Sequence, residues 1–133
     1  MLPEVIIVAL TIYMEAAGEP LRGKLGVGQV IQQRMIERDK SADEVCLEHK
    51  QFSGWNIGPE KVEARHMAGK YIRNDIDKKA WRDCLAIAGR VCHLSLPGGR
   101  CWNHYHSIFV TPSWSDKMKD VEIIGNHIFG RIL

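Results

Sequence analysis

The sequence has no apolar run long enough to cross a bilayer, which takes ~20 residues. Its most apolar stretch near the start is Val5 to Tyr13, with Thr11 inside it. No insertion into a membrane is therefore expected. A secretory leader is a poor match too. Only Met1 to Pro3 precede Glu4, which leaves no basic n-region. Charge of one sign is also scarce. Lys and Arg number 18 against 16 Asp and Glu, a balance of +2, so no wide basic field for nucleic acid is expected. No GxGxxG occurs. Gly18 to Lys24 fits GxxxxGK, but Leu25 stands where a phosphate loop needs Ser or Thr. The four cysteines, Cys46, Cys84, Cys92 and Cys101, form no CxxC, so neither a zinc ribbon nor a thioredoxin-like site is indicated. Cys84 and Cys92 lie eight apart in a helix-like stretch, roughly 12 Å along the axis, too far to bridge there. Buried thiols are the expectation. No internal repeat, linker or low-complexity tract is visible, and 133 residues suit one domain over 1–133.

What remains is helical first and sheet-like last. Pro3 to Ala17 carries Ile6, Ala9, Leu10, Tyr13 and Ala17 at helical spacing, with Val5, Val8 and Ile12 on the other sides. A helix apolar all round belongs in the middle of a protein. Gly18 and Pro20 end it. A second helix is expected over Arg22 to Asp39, with Arg34 the polar exception on its inner stripe. Ser41 and Glu44 fit a capping box for a short third helix. A fourth is expected from Pro59 to about Asn74. A fifth carries Trp81, Cys84, Leu85, Ala88, Val91 and Cys92. Leu96-Pro97-Gly98-Gly99 then breaks the pattern. Gly125-Asn126 between two apolar runs signals a hairpin. The expected class is α+β, mostly helical, with a small late sheet.

Glu15 is the residue that needs explaining. On an ideal helix it shares a side with Val8, Thr11 and Ile12. Burial raises a carboxyl's pKa, and the negative end of the helix dipole pushes the same way. Both favour a protonated acid near neutral pH, as a general acid for glycosidic cleavage requires. The plain alternative is a Glu paired with Arg34 or Arg22, or turned to solvent at a frayed end. Glu19 is its rival, in a turn that water can reach. Its plain role is a surface carboxylate or a salt bridge with Arg22 or Lys24. Gln51, Ser53, Asn103, His104, Tyr105 and His106 have the hydrogen-bonding groups that line sugar sites, and structural packing is the alternative for the two histidines. His104-x-His106 also has the spacing of strand-borne metal ligands, but no motif supplies a third ligand, so no metal and no cofactor are expected. His127 is expected as a structural hydrogen-bonder beside the turn. Trp55, Trp102 and Trp114 are read as core before sugar platforms.

Several blocks recur in the order of a known family. They are Ile12-Tyr13-Met14-Glu15-Ala16-Ala17-Gly18-Glu19-Pro20, Gly23 to Arg34, Gln51-Phe52-Ser53, Asn103-His104-Tyr105-His106, Pro112-Ser113-Trp114, and Ile124-Gly125-Asn126-His127-Ile128-Phe129. Together they resemble the SleB-type cell-wall hydrolases, which include spore-cortex-lytic enzymes and phage and bacterial relatives. The resemblance implies a lysozyme-like catalytic domain that cuts the glycan strand of peptidoglycan between N-acetylmuramic acid and N-acetylglucosamine. It places the catalytic acid on Glu15. Glu19 is, from its own position, the candidate assisting group, which would position a water if the outcome is net hydrolysis. Several family members are lytic transglycosylases, in which the muramic acid's own C6 hydroxyl displaces the leaving sugar. The sequence departs from the family at Met14, Ala17, Gln33 and Asn103. The competing functions are a metal-dependent N-acetylmuramoyl-L-alanine amidase and an inactive peptidoglycan-binding module. The expected setting is a monomeric phage lysis enzyme, made in the cytoplasm and acting on the host wall, in the periplasm, after release.

Overall fold

The computed structural model describes residues 2–48, 77–96 and 100–133. The expected helix over Pro59 to Asn74, with Gln51, Ser53 and Trp55, lies outside them. Helix α1 spans Glu4–Ala16 and is the central rod. Val8, Ala9, Leu10 and Ile12 are fully buried. Thr11, also buried, donates its hydroxyl to the Ile7 carbonyl at 2.8 Å, so the apolar environment meets no unpaired hydroxyl hydrogen. Helix α2 spans Leu21–Arg38 and follows after a tight turn in which Glu19 N donates to the Ala16 carbonyl at 2.9 Å. It ends at Asp39 in the left-handed region, φ 51°. Helix α3, Ala42–Leu47, has the capping box its sequence announces, with Ser41 N donating to Glu44 Oε1 at 3.0 Å.

Helix α4, Lys78–His93, opens on Asp77, whose carboxylate accepts from Ala80 N at 3.0 Å. Its apolar face packs on α1 and α2. Tyr13 meets Trp81 edge-on there, ring centroids 6.0 Å apart. Gln32 of α2 holds the far end of α4. Its Nε2 donates to the Leu94 carbonyl at 2.7 Å and its Oε1 accepts from Leu96 N at 3.1 Å.

Three antiparallel strands form the late sheet: β1 His104–Ser107, β2 Lys119–Ile124 and β3 His127–Arg131, in the order β1-β3-β2. The expected hairpin is β2-Gly125-Asn126-β3. Strand β1 places His104 and His106 in the small sheet, the structural alternative for them: it runs along the other edge of β3, with Tyr105 opposite Phe129 and His106 opposite Ile128. Phe129 is fully buried and stacks on Trp102 at 5.1 Å. The sheet reaches α2 through this ring. A Cβ built on Gly26 would lie 2.5 Å from Phe129 Cζ, so only glycine lets the ring rest on the helix. No disulfide joins the cysteines. Cys46 and Cys84 are buried and Cys92 is half-buried, but Cys101 is exposed, against the expectation of buried thiols. It lies on the segment leading into β1, ahead of the buried Trp102.

Candidate active site

Glu15 stands in the last turn of α1, partly buried, above the fully buried Ile12. The helix ends one residue later, so the side chain lies at the boundary between core and solvent. Strand β1 delivers its partner: the Tyr105 hydroxyl donates to Glu15 Oε1. Burial pushes the Glu15 carboxyl above its ordinary value of 4.5, while the Tyr105 bond and the positive charge of Arg34 pull it down. Tyr105 answers in kind: burial and the adjoining carboxylate push its phenol well above 10. It stays a hydroxyl at any working pH.

Arg34, 7% exposed, does not pair with Glu15 through a salt bridge. Its Nε donates to the Asn103 carbonyl at 2.9 Å, and its charge reaches Glu15 electrostatically. Arg22 turns outward to Glu122. Among the described residues Glu15 is thus a carboxyl with a hydroxyl donor rather than half of an ion pair.

Glu19 departs from both of its expected plain roles. Its side chain is only 10% exposed. Lys24 donates to the Glu19 backbone carbonyl, leaving the carboxylate for another partner. That partner is the β2–β3 turn. Asn126 N donates to Glu19 Oε1 at 2.6 Å and Asn126 Nδ2 to Oε2 at 3.2 Å. His127 Nδ1 lies 3.9 Å from Oε1. Gly125, at φ +57°, makes the grip feasible, because a Cβ there would fall 2.6 Å from Glu19 Oε1. His127 makes no side-chain hydrogen bond through this buried nitrogen among the described residues, contrary to the expected structural hydrogen-bonder. Its ring instead leans on Tyr105, centroids 5.2 Å apart.

The sheet divides the Asn103-to-His106 block. Successive side chains of a strand point to opposite faces. Tyr105 shares the inner face with Phe129 and the His127 ring. His104 and His106 share the outer face, both against Trp114, at 5.0 and 5.7 Å. Burial lowers the pKa of His104, and the charges of Arg34 and Arg38 add to it. Asn103 is 4% exposed and its amide is fully engaged. Nδ2 donates to the Ile132 carbonyl at 2.7 Å and to Glu37 at 3.1 Å, and Oδ1 accepts from Ile132 N at 2.8 Å. It fastens the end of the chain beyond β3 and offers nothing to a sugar groove. Trp102 is core, donating Nε1–H to the Asp120 carbonyl at 2.9 Å. No group of three or more His, Cys, Asp and Glu converges among the described residues. None of their helices is long and apolar enough to cross a membrane. Sequence reasoning missed the pairing of Asn126 with Glu19. A Gly-Asn pair announces a turn and nothing about what the turn touches.

Residues 18–130 match the family described as Cell Wall Hydrolase. The chain belongs to that family. The matched region opens three residues past Glu15, so the case for Glu15 is the geometry above. Two solved structures share the fold of this cell wall hydrolase. One is the catalytic domain of the Bacillus cereus SleB protein, TM-score 0.65, 21% identical, covering 96% of this chain and 89% of that one. The other is the catalytic domain of the germination-specific lytic transglycosylase SleB from Bacillus anthracis, TM-score 0.66, 21% identical, covering 96% of this chain and 93% of that one. No curated protein sequence matches. The likeness bears out the α+β, mostly helical, lysozyme-like architecture.

Proposed function

We propose that this cell wall hydrolase cleaves the glycan strand of peptidoglycan at the N-acetylmuramic acid–N-acetylglucosamine bond, with Glu15 as the acid. One observation carries the reading: a carboxyl at the end of the buried helix, raised in pKa by burial and oriented by the Tyr105 hydroxyl. A protonated Glu15 gives its proton to the leaving O4 as the C1–O4 bond breaks. The sugar ring takes on oxocarbenium character. The C6 hydroxyl of the muramic acid then bonds to C1, and the Glu15 carboxylate takes the C6 proton. The acid is thereby restored, and the product carries a 1,6-anhydro ring. This course needs one carboxyl. It agrees with the grip on Glu19, whose two oxygens are both occupied by the Asn126 turn. It is also the activity named for the Bacillus anthracis neighbour.

In this reading Gln51, Ser53 and the outer-face pair His104 and His106, with Trp114, are the remaining candidates for sugar contacts. The enzyme is proposed to act as a monomer. The proposed setting is lysis of a host wall by a phage enzyme that reaches the wall after release. Its test is expression in cells with and without a membrane pore: rapid lysis confined to cells with the pore supports it.

The deciding experiment is digestion of purified peptidoglycan by wild type beside Glu15→Gln, with products read by mass spectrometry. Anhydro-muropeptides from wild type and none from the variant are expected. Free stem peptides would point to an amidase, and reducing ends to a hydrolase. Wild-type rates in Glu15→Gln would end the assignment.

A further inference from the structure

Glu19, the Gly125-Asn126 turn, His127, Tyr105 and Glu15 form one contact chain across three separate stretches of the sequence. Glu19 belongs to the turn that closes the catalytic helix. Its carboxylate is fixed twice by Asn126, once through the backbone N–H and once through the side chain. Gly125 contributes by having no Cβ where Oε1 sits. The turn is rigidly followed by β3, whose first residue, His127, packs its ring on Tyr105. Two residues further, Phe129 packs on Tyr105 from the same face and anchors the strand on α2. Tyr105 ends the chain on Glu15. The same turn is held from its other side by the end of β1, where Ile108 N donates to the Asn126 carbonyl at 2.9 Å, so Glu19 grips a turn already tied to the strand that carries Tyr105.

Resting on the glycan-cleaving reading, we propose that Glu19 is a positioning residue: by clasping the β2–β3 turn it holds His127 against Tyr105, and so keeps the Tyr105 hydroxyl on Glu15. Its work needs acceptor oxygens at the Asn126 amides and requires no proton transfer. A second catalytic carboxylate would instead need a free oxygen for water and a negative charge. Glutamine separates the two roles. It keeps an acceptor for Asn126 N and discards the charge, while its new Nε2 donates to Asn126 Oδ1 once that exposed side-chain amide turns over.

The groups that act on Glu15 among the described residues are Tyr105 from β1 and Arg34 from α2. Those facing His127 are Glu19 from the helix-closing turn and Tyr105. Losing the Tyr105 bond removes an influence that lowers the Glu15 pKa. The acid then stays protonated to higher pH, and the alkaline limb of the pH–rate profile moves up.

The test is the rate and pH profile on purified peptidoglycan of Glu19→Ala, Glu19→Gln and Asn126→Ala beside wild type and Glu15→Gln, each first shown to melt cooperatively. Glu19→Ala should lose about tenfold or more in kcat, the worth of a hydrogen bond to a charged group, with little change in KM. Its alkaline limb should move to higher pH. Glu19→Gln should recover most of the rate with the limb where wild type has it. Asn126→Ala, which keeps its backbone donor, should shift the limb the same way by less, and it carries the test if Glu19→Ala does not fold. Equal inactivity of Glu19→Gln and Glu19→Ala would overturn the proposal in favour of a catalytic carboxylate. A wild-type limb in folded Glu19→Ala, or in Asn126→Ala where Glu19→Ala does not fold, would reduce Glu19 to a structural role. Failure of the glycan-cleaving reading itself shows separately, as no glycan product from wild type or full activity of Glu15→Gln.

Discussion

Replacing Gly26 with alanine should destabilise the protein, and the same replacement should become harmless once Phe129 is leucine. A Cβ on Gly26 would approach three ring atoms of Phe129, Cζ at 2.5 Å, Cε1 at 2.7 Å and Cε2 at 3.0 Å. Carbon atoms rest at about 3.5–4.0 Å, so the closest pair is about 1 Å too near. The ring has no room to retreat, being fully buried and stacked on Trp102. Overpacking of this kind costs ~1–3 kcal/mol. Alanine also favours an α-helix over glycine by ~1 kcal/mol, which the clash must exceed. Leucine at 129 has no atoms equivalent to Cζ, Cε1 or Cε2, so the clash vanishes and the helical gain remains. The two backgrounds should therefore differ by about 2 kcal/mol in the effect of Gly26→Ala, as contacting pairs commonly do. Urea unfolding of the four proteins measures this coupling, and the cost of Phe129→Leu by itself cancels from the cycle. Additivity within about 0.5 kcal/mol, the usual scatter for independent sites, would refute the claim that the Phe129 ring docks directly on α2 at Gly26.

Three further outcomes follow from the site and its surroundings. Tyr105→Phe keeps the ring but loses the donor to Glu15, so the alkaline limb of activity should move to higher pH, with a rate loss of about tenfold or more; a limb left in place would show that the hydroxyl does not tune the acid. Glu15→Gln should remove a pH-dependent loss of stability: with the folded pKa raised, the stability that Glu15 contributes is complete below about pH 4.5 and is lost as pH rises through the folded value, so the variant should gain on wild type in denaturation melts at alkaline pH and lose that advantage in acid. In the native protein a thiol reagent at neutral pH should label Cys101 first, since Cys101 is exposed while burial pushes Cys46, Cys84 and Cys92 up to about 12; fast labelling of two or more sites by mass spectrometry would contradict it.

Much of the helical half was legible because its signals are local. The all-round apolar pattern of α1 follows from its position between α2, α3 and α4. Ser41 and Glu44 cap α3 within four residues of each other. The Gly125-Asn126 hairpin is local for the same reason. What the sequence concealed depends on contacts between distant segments. Glu19 and Asn126 lie 107 residues apart, and nothing near either names the other. Arg22 had Glu19 close by in sequence and chose Glu122, 100 residues away. Asn103 looked like a sugar ligand because it adjoins His104, yet its amide is consumed by Ile132 and Glu37. The division between Tyr105 and its two histidine neighbours was available in principle. Recognising β1 as a strand is enough to place His104 and His106 on one face and Tyr105 on the other.

That division bears on how so small a sheet would support the proposed acid. The helices alone can bury a carboxyl and raise its pKa, but burial does not aim it. Aim comes from one inward-facing residue of β1, and among the described strands β1 pairs with β3 alone. The position of Tyr105 is therefore no better than the position of β3. Phe129 fixes β3 at its middle against α2, and Glu19 fixes it at its start through the turn. Two anchors on one five-residue strand leave it little freedom to tilt. In the proposed mechanism the sequence block that carries the acid also carries the second glutamate four residues on, because the acid and the clasp that steadies its partner stand at the two sides of one helix end.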